Sequence, residues 1–499
     1  MILSKMVKNQ KSAIIIGSGF GGLATACLLG KAGYNVTVLE KNEQLGGRAG
    51  VFKTKGFTFD MGPSWYLMPD VFEHFFSLLN EDIHEHLELI RLSPSYQVFF
   101  KDVRSKPINI YGNLEKDSKT FESLEPGSGA TLKQYLKKSE YVYNTATNQF
   151  LYKNYDGIKD FLKPRLMKEA RKLSLFSNMD TYVRKYFKNT EIQKILQYPL
   201  VFLGASPYNA PAIYNLMSHV DFNQGVFYPH GGFGSVVKAF EKIAKKYNVQ
   251  FKTNIEVTKI IVKDGQAVGV KAENKDYYAD IVVSDADIYH TEQKLLAPQE
   301  RDHSDRYWNT RTLAPSALLM YIGVKGTLPN FQHHNLIFSK DWKKNFSQIF
   351  DNPQWPDDPS FYISNPSKTD KSVAPEGHEN IFVLVPIPAS LTYNNKQLES
   401  YATKILDTIE KQTNTPDLRS RIVYKRLFSV EDFESRYNSF KGTGLGLAHT
   451  LKQTAVFRPR NFSKKVKNLY YVGANTHPGI GVPITLISAE LLVKRLMKS

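Results

Sequence analysis

Six residues near the start of the chain, Gly17-Ser18-Gly19-Phe20-Gly21-Gly22, have the spacing that brings protein backbone against a phosphate. Gly17 permits a tight turn, Gly19 lets main chain approach a diphosphate, and Gly22 lets the following helix pack on the preceding strand. The start of that helix offers unpaired N–H groups and the positive end of its dipole to an anion. Glu40 ends the next strand-like run, where an acid hydrogen-bonds a ribose hydroxyl. These residues predict a dinucleotide site, and by themselves they suit FAD and NAD equally. Other chemistries lack their residues. The single cysteine, Cys27, excludes an intramolecular disulfide and cysteine-rich metal sites. His333 and His334 are adjacent and would face opposite sides of a strand, and no H-E-x-x-H run is present, so no metal site is predicted. No G-x-S-x-G elbow supports a serine hydrolase.

A β-α-β unit must position the glycines. Residues 13–16 form a short buried-strand pattern, 20–31 a helix pattern stopped at Gly33, and 36–39 a second strand. Further pieces of the same domain lie at 249–287, where β-rich runs are parted by turns at Asp264-Gly265 and Asn274, and at 469–473 ahead of a final helix over 484–497. The predicted fold class is therefore α/β, with a discontinuous Rossmann-like dinucleotide domain drawn from 11–95, 225–300 and 460–499. Strand-like runs at 317–324 and 381–385 and Pro-rich loops around 352–366 predict a sheet-based substrate domain over 96–130 and 301–459. Residues 131–224 predict a helical insertion interrupted at Pro164, Pro199, Pro207 and Pro211.

The chain has 499 residues and a formal charge of +17, and residues 131–200 alone hold 14 Lys/Arg against 6 Asp/Glu. That excess fits a solvated helical surface or attraction to anionic lipid headgroups, where each basic residue gains roughly 1 kcal/mol. Nucleic acid is not expected, since no recognition motif accompanies the charge. The longest apolar runs fall short of the ~20 residues that cross a bilayer. The N-terminal stretch with Lys5, Lys8 and Lys11 reads as the approach to a strand, not as a signal peptide.

Lys41-Asn-Glu-Gln-Leu-Gly46-Gly47-Arg48 resembles the segment that continues the fingerprint in glutathione-reductase-like and amine-oxidase-like flavoproteins. The resemblance implies FAD as cofactor, with Gly46 and Gly47 bringing backbone to the diphosphate and Arg48 adding charge. Lys41 belongs to the same set, and Val257 would place backbone against the adenine. Four further stretches, Phe57 to Pro69, Glu125-Pro-Gly-Ser, Tyr228-Pro-His-Gly231-Gly232 and Gly473 to Pro483, together resemble the bacterial carotenoid desaturases over almost the whole chain. The likeness looks closest to the phytoene desaturase branch, with hydroxycarotenoid 3,4-desaturases and C30 diapocarotenoid desaturases and oxidases as near relatives. Physically, Gly62-Pro63 would let backbone lie close to the isoalloxazine. The loop from Gly473 through Gly481 and Val482 would aim the last helix's positive end at the flavin.

The resemblance implies a hydride passed from an allylic carbon of a C40 polyene, most readily phytoene toward neurosporene or lycopene, to FAD and then to oxygen or a quinone. The protein's part is an apolar tunnel and exclusion of water. Trp65, Tyr66 and Phe227 are the candidate substrate residues. No catalytic acid or base is assigned: His477 in its Gly/Pro loop is as suited to holding backbone, and Asp60 reads as a local hydrogen-bonder. A peripheral location on the cytoplasmic face of a membrane, the insertion against anionic lipid, would bring the carotenoid within reach. A non-redox carotene isomerase, an amine oxidase and a pigment carrier are the competing readings.

Overall fold

The computed structural model describes residues 10–101, 106–155, 157 and 177–498. Residues 158–176 of the expected insertion, with Pro164, lie outside the described residues, as do Lys5 and Lys8. Strand β1 (Ser12–Ile16) is aliphatic and buried from Ala13 onward, and it takes the centre of a five-stranded parallel sheet. β2 (Asn35–Leu39) and the strand Ile281–Ser284 flank it, with Gln250–Lys252 and Leu469–Tyr471 at the edges. Parallel sheets require cover on both faces. Helix α1 (Phe20–Lys31) packs against β1 and β2 and touches both the final helix, Val482–Leu496, and the helix Phe233–Lys246. Close approach is possible because its side chains are small: a methyl group at Gly30 would stand 2.8 Å from Tyr247 Cβ. The final helix starts at Val482, earlier than predicted, because Pro483 occupies its first turn, where no backbone N–H is needed.

A second, seven-stranded sheet runs in the order Ile422–Phe428, Ser316–Lys325, His378–Ile387, Phe361–Ser364, His334–Phe338, Tyr96–Phe100, Ile108–Ile110. The strand Ser316–Lys325 divides its residues by parity, as a pleat demands. Leu318, Met320 and Ile322 face a core closed by Tyr401, Ile405 and Ile409 of the helix Asn395–Gln412. Ala317, Leu319 and Tyr321 face a different cluster, shared with residues 57–65 and with the helices between 128 and 222. That helical layer begins before residue 131. Leu114–Leu124, capped by Asn113 accepting from the Lys116 N–H, packs on Ser128–Ala146. Glu125 then reaches forward to accept from the backbone N–H groups of Lys188 and Asn189 (3.0 and 2.7 Å), which gives the Glu-Pro-Gly-Ser motif a structural use.

Two carboxylates brace the turn Tyr228–Gly232. Asp60 accepts from the N–H groups of Phe233 and Gly234 at the start of the helix Phe233–Lys246 (2.9 and 3.2 Å). Asp370 accepts from Gly231 N–H (2.8 Å) and the Tyr228 hydroxyl (3.1 Å). Burial pushes the Asp60 carboxyl up to about 7. Replacing Asp60 with alanine is expected to lower stability by ~1–2 kcal/mol, the usual cost of a lost helix cap. The measurement is the midpoint of urea or thermal unfolding, and an unchanged midpoint would remove Asp60 from this role.

Candidate functional site

The carboxyl ends of β1, β2, Ile281–Ser284 and Leu469–Tyr471 lie along one edge of the sheet, the edge at which open parallel sheets bind their ligands. Gly17, in the left-handed region at φ +90°, turns the chain there and donates its N–H to Leu39 O (2.8 Å). Glu40 is 4 % exposed and fully engaged. One carboxylate oxygen accepts from the Ser18 N–H and hydroxyl (2.9 and 2.7 Å), the other from the Asn42 N–H and side-chain amide (2.9 and 2.8 Å). The acid thus stiffens the loop around the expected ribose position. Ile255 N–H donates to Glu40 O (2.8 Å), which brings buried Val257 alongside.

Other glycine segments close on the first. Gly46 N–H donates to Ser18 O (2.9 Å), and a methyl group at Gly47 would lie 3.1 Å from Gly19 Cα. A methyl at Gly21 would lie 3.1 Å from Gly473 Cα, and one at Gly22 would meet Gly17 O. Three stretches far apart in sequence thus converge with backbone on backbone. Gly62 follows the same logic, since a methyl there would sit 2.6 Å from Arg48 O, and half-buried Pro63 follows it. Gly481 and Val482 open the last helix.

Two predicted cations reach across to residues 435–439. Arg48 donates to Ser439 Oγ (2.7 Å) with its guanidinium 5.7 Å from the Tyr437 ring, and its buried Nε has no partner among the described residues. Lys41 donates to Ser435 O and Asn438 Oδ1 (2.8 and 2.9 Å). The glycine cradle and the unpaired Arg48 Nε both fit an anionic dinucleotide such as FAD.

Several contributors were missed by motif reading. Asp285 and Asp287 follow the strand Ile281–Ser284, and their place after a buried strand was the available signal. Asp287 Oδ2 accepts from Asn475 Nδ2 (3.0 Å), and Asn475 Oδ1 accepts from Leu447 N–H (2.9 Å). Arg458 is buried and spends its donors on four carbonyls, Ala474, Leu447, Thr476 and Gln453, with no carboxylate among them. Burial lowers it to about 10, so it stays cationic beneath the Gly473–Thr476 turn. No local sequence signal marks it. His477 donates from Nε2 to Lys153 O (3.0 Å), and burial holds it near 4, so a neutral ring pins the terminal loop to the helical layer.

The three candidate substrate residues do not converge. Trp65 stacks on His334 at 4.3 Å and is ringed by Tyr96, Phe202 and Tyr362, inside the cluster shared by both domains and the helical layer. Tyr66 turns the opposite way, fully buried and stacked on Phe72 at 4.3 Å in the dinucleotide domain. Phe227 is half-buried and pairs main chain with Tyr66 (3.1 and 3.3 Å). Beside Trp65, the phenols of Tyr96 and Tyr198 donate to one oxygen of buried Asp221 (2.8 and 3.2 Å), whose carboxyl burial raises to about 7. Glu81, Glu85 and His86 cluster elsewhere, but Glu81 is already paired with Lys246 and His86 (2.7 and 2.8 Å).

The family described as flavin containing amine oxidoreductase matches residues 20–497. A carotenoid 3,4-desaturase of Haloarcula japonica is 46% identical, over 98% of this chain and 99% of its own. A zeta-carotene-forming phytoene desaturase of Myxococcus xanthus is 34% identical, over 97% of this chain and 93% of its own. An oxidoreductase structure from Methanosarcina mazei shares the fold at a TM-score of 0.63 and 17% identity, covering 98% of this chain and 100% of that one. Replacing Glu40 with glutamine should weaken flavin retention at least tenfold, about 1.4 kcal/mol. The amide offers one acceptor oxygen where the carboxylate has two, and its NH2 faces donors. Flavin absorbance per purified protein reads this, and full occupancy after dialysis would contradict it.

Proposed function

Because the chain belongs to the flavin containing amine oxidoreductase family, and within it to the carotenoid desaturases, we propose that it dehydrogenates a C40 polyene at the 3,4 bond. The position rests on one observation: identity to the 3,4-desaturase is clearly higher than to the phytoene desaturase over nearly the same length. Phytoene itself remains the second reading, supported by the motifs of the sequence and by that full-length likeness. In either case the enzyme is an FAD-dependent oxidoreductase. FAD, when bound, supplies the acceptor for a hydride leaving an allylic carbon.

The chain's own residues hold, orient and exclude water. Gly17, Gly19, Gly21 and Gly22 with the start of α1 would face the diphosphate. Gly46, Gly47 and Arg48 would cover it, with Lys41 tying that cover to Ser435 and Asn438. Glu40 and Val257 would lie at the ribose and adenine end. Gly62, Pro63, Gly473, Gly481 and Val482 would lie at the flavin end, over the buried charge of Arg458. Along its conjugated chain a carotenoid has no polar handle, so that part is placed by shape and aromatic faces. Trp65 and its neighbours supply these, and aromatic faces also stabilise positive charge that develops along a conjugated chain. Tyr66 and Phe227 would contribute through the main-chain pair that fixes Trp65. Oxygen or a quinone would take the electrons onward.

The purified protein should be incubated with phytoene and, separately, with a 1-hydroxylated C40 carotenoid lacking the 3,4 double bond. Product two hydrogens lighter from the second substrate alone is expected. Desaturation of phytoene instead would establish the second reading, and a product of unchanged mass would mean isomerisation.

No helix among the described residues is long and apolar enough to cross a membrane. We propose peripheral contact on the cytoplasmic face through the helical layer, where Lys133, Lys137, Lys138, Arg184, Lys185 and Lys188 are exposed. Binding to vesicles with anionic headgroups, released at high salt, is expected. Equal binding to neutral vesicles would refute the electrostatic contact.

A further inference from the structure

Asp285 lies where the cofactor's diphosphate is expected, and it is itself an acid. Its backbone N–H donates to Ile16 O (2.8 Å), which fixes it at the end of the strand Ile281–Ser284. The amides of Gly22 and Gly19 lie near enough to its carboxyl to favour the ionised form. A methyl group at Gly19 would stand 2.6 Å from one carboxyl oxygen, and a methyl at Gly473 2.7 Å from the other. The side chain therefore fills the space between the first turn of α1 and the terminal loop, using donors that attract anions at a helix start.

The charges around it are few. Glu40, at the end of β2, adds like charge, and Arg48 is the cation that opposes it. Arg48 is shared with Asp287 and committed to Ser439 and Tyr437. Burial, with Glu40, pushes the Asp285 carboxyl up to about 8 against the pull of the Gly22 and Gly19 amides and of Arg48. At neutral pH the group is mostly the neutral acid, which can donate a hydrogen bond, whereas the ionised form only accepts.

Resting on the FAD reading of this site, we propose that Asp285 couples retention of the dinucleotide to a proton: the neutral acid shares the glycine loop with the diphosphate and donates to it, and the carboxylate competes for the same amides. The proton is conserved in this exchange: it stays on Asp285 when FAD binds at low pH and is taken from solvent when FAD binds at high pH. Linkage sets the sign, since a ligand that prefers the protonated form binds more weakly as pH rises through the carboxyl's pKa.

The test measures the Kd for FAD by flavin fluorescence from about pH 6 to about pH 10, in the full-length protein and in Asp285→Asn, which keeps the shape and removes the charge. Wild-type Kd should be flat below about 8 and then rise, approaching tenfold per pH unit. Asp285→Asn should lack that rise and bind more tightly than wild type at the alkaline end. Calorimetry of FAD binding to the wild-type protein, in buffers of differing ionisation enthalpy, requires no variant. It should report uptake of about one proton at alkaline pH and none at acidic pH. Equal pH slopes in the two proteins, or binding without proton uptake, would overturn the proposal while leaving the cofactor reading intact. Failure of wild type to bind FAD at any pH would overturn both.

Discussion

At the carboxyl end of the first sheet backbone meets backbone, and much of the surrounding architecture is arranged so that it can. Gly21 lies against Gly473, Gly47 against Gly19, and Gly22 against the carbonyl of Gly17. A single methyl group at any of these contacts would separate segments that start the chain, follow its second strand and end it. Side-chain packing could not bring the amides of the first turn of α1 so close to the terminal loop. The parallel order of the first sheet follows from the same need, since only parallel strands deliver several carboxyl ends to one crevice. The small residues of α1 matter in turn because that helix must sit among the sheet, the final helix and Phe233–Lys246.

Around that contact the charges are handled by burial more than by pairing. Arg458 is held by four carbonyls with no acid among them, and Glu40 is held by four donors from Ser18 and Asn42. Both groups are thereby fixed in position. Asp60, Asp221 and Asp285 are each raised by desolvation into the neutral range, at a helix start, in an aromatic cluster and in the glycine loop respectively. Asp60 is bonded to amides at a helix start and Asp221 to two phenols.

The second sheet and the helical layer answer a different constraint. Here elements distant in sequence are joined through large aromatic side chains and not through backbone. The cluster around Trp65 draws on residues 57–65, on one face of the seven-stranded sheet and on helices between 128 and 222. The sheet's other face is closed by Asn395–Gln412 and plays no part in that cluster.

Local pattern was enough for the dinucleotide unit, since strand, helix and glycine spacing are decided within a few residues of each other; α1 spans 20–31, as its periodicity predicts. The long strands of the second sheet were legible as apolar runs because both of their faces are buried. Glu40 was found as an acid, but not its four donors, and Trp65 and Tyr66 looked alike although one faces the shared cluster and the other the dinucleotide core. No local pattern marks Arg458 or Asp221, and only its place after a buried strand marks Asp285. Their significance comes from what surrounds them, and desolvation is a property of the assembled interior. Spacing along the chain determined which backbone could approach a phosphate, while only the tertiary structure decided which charges face that backbone without water.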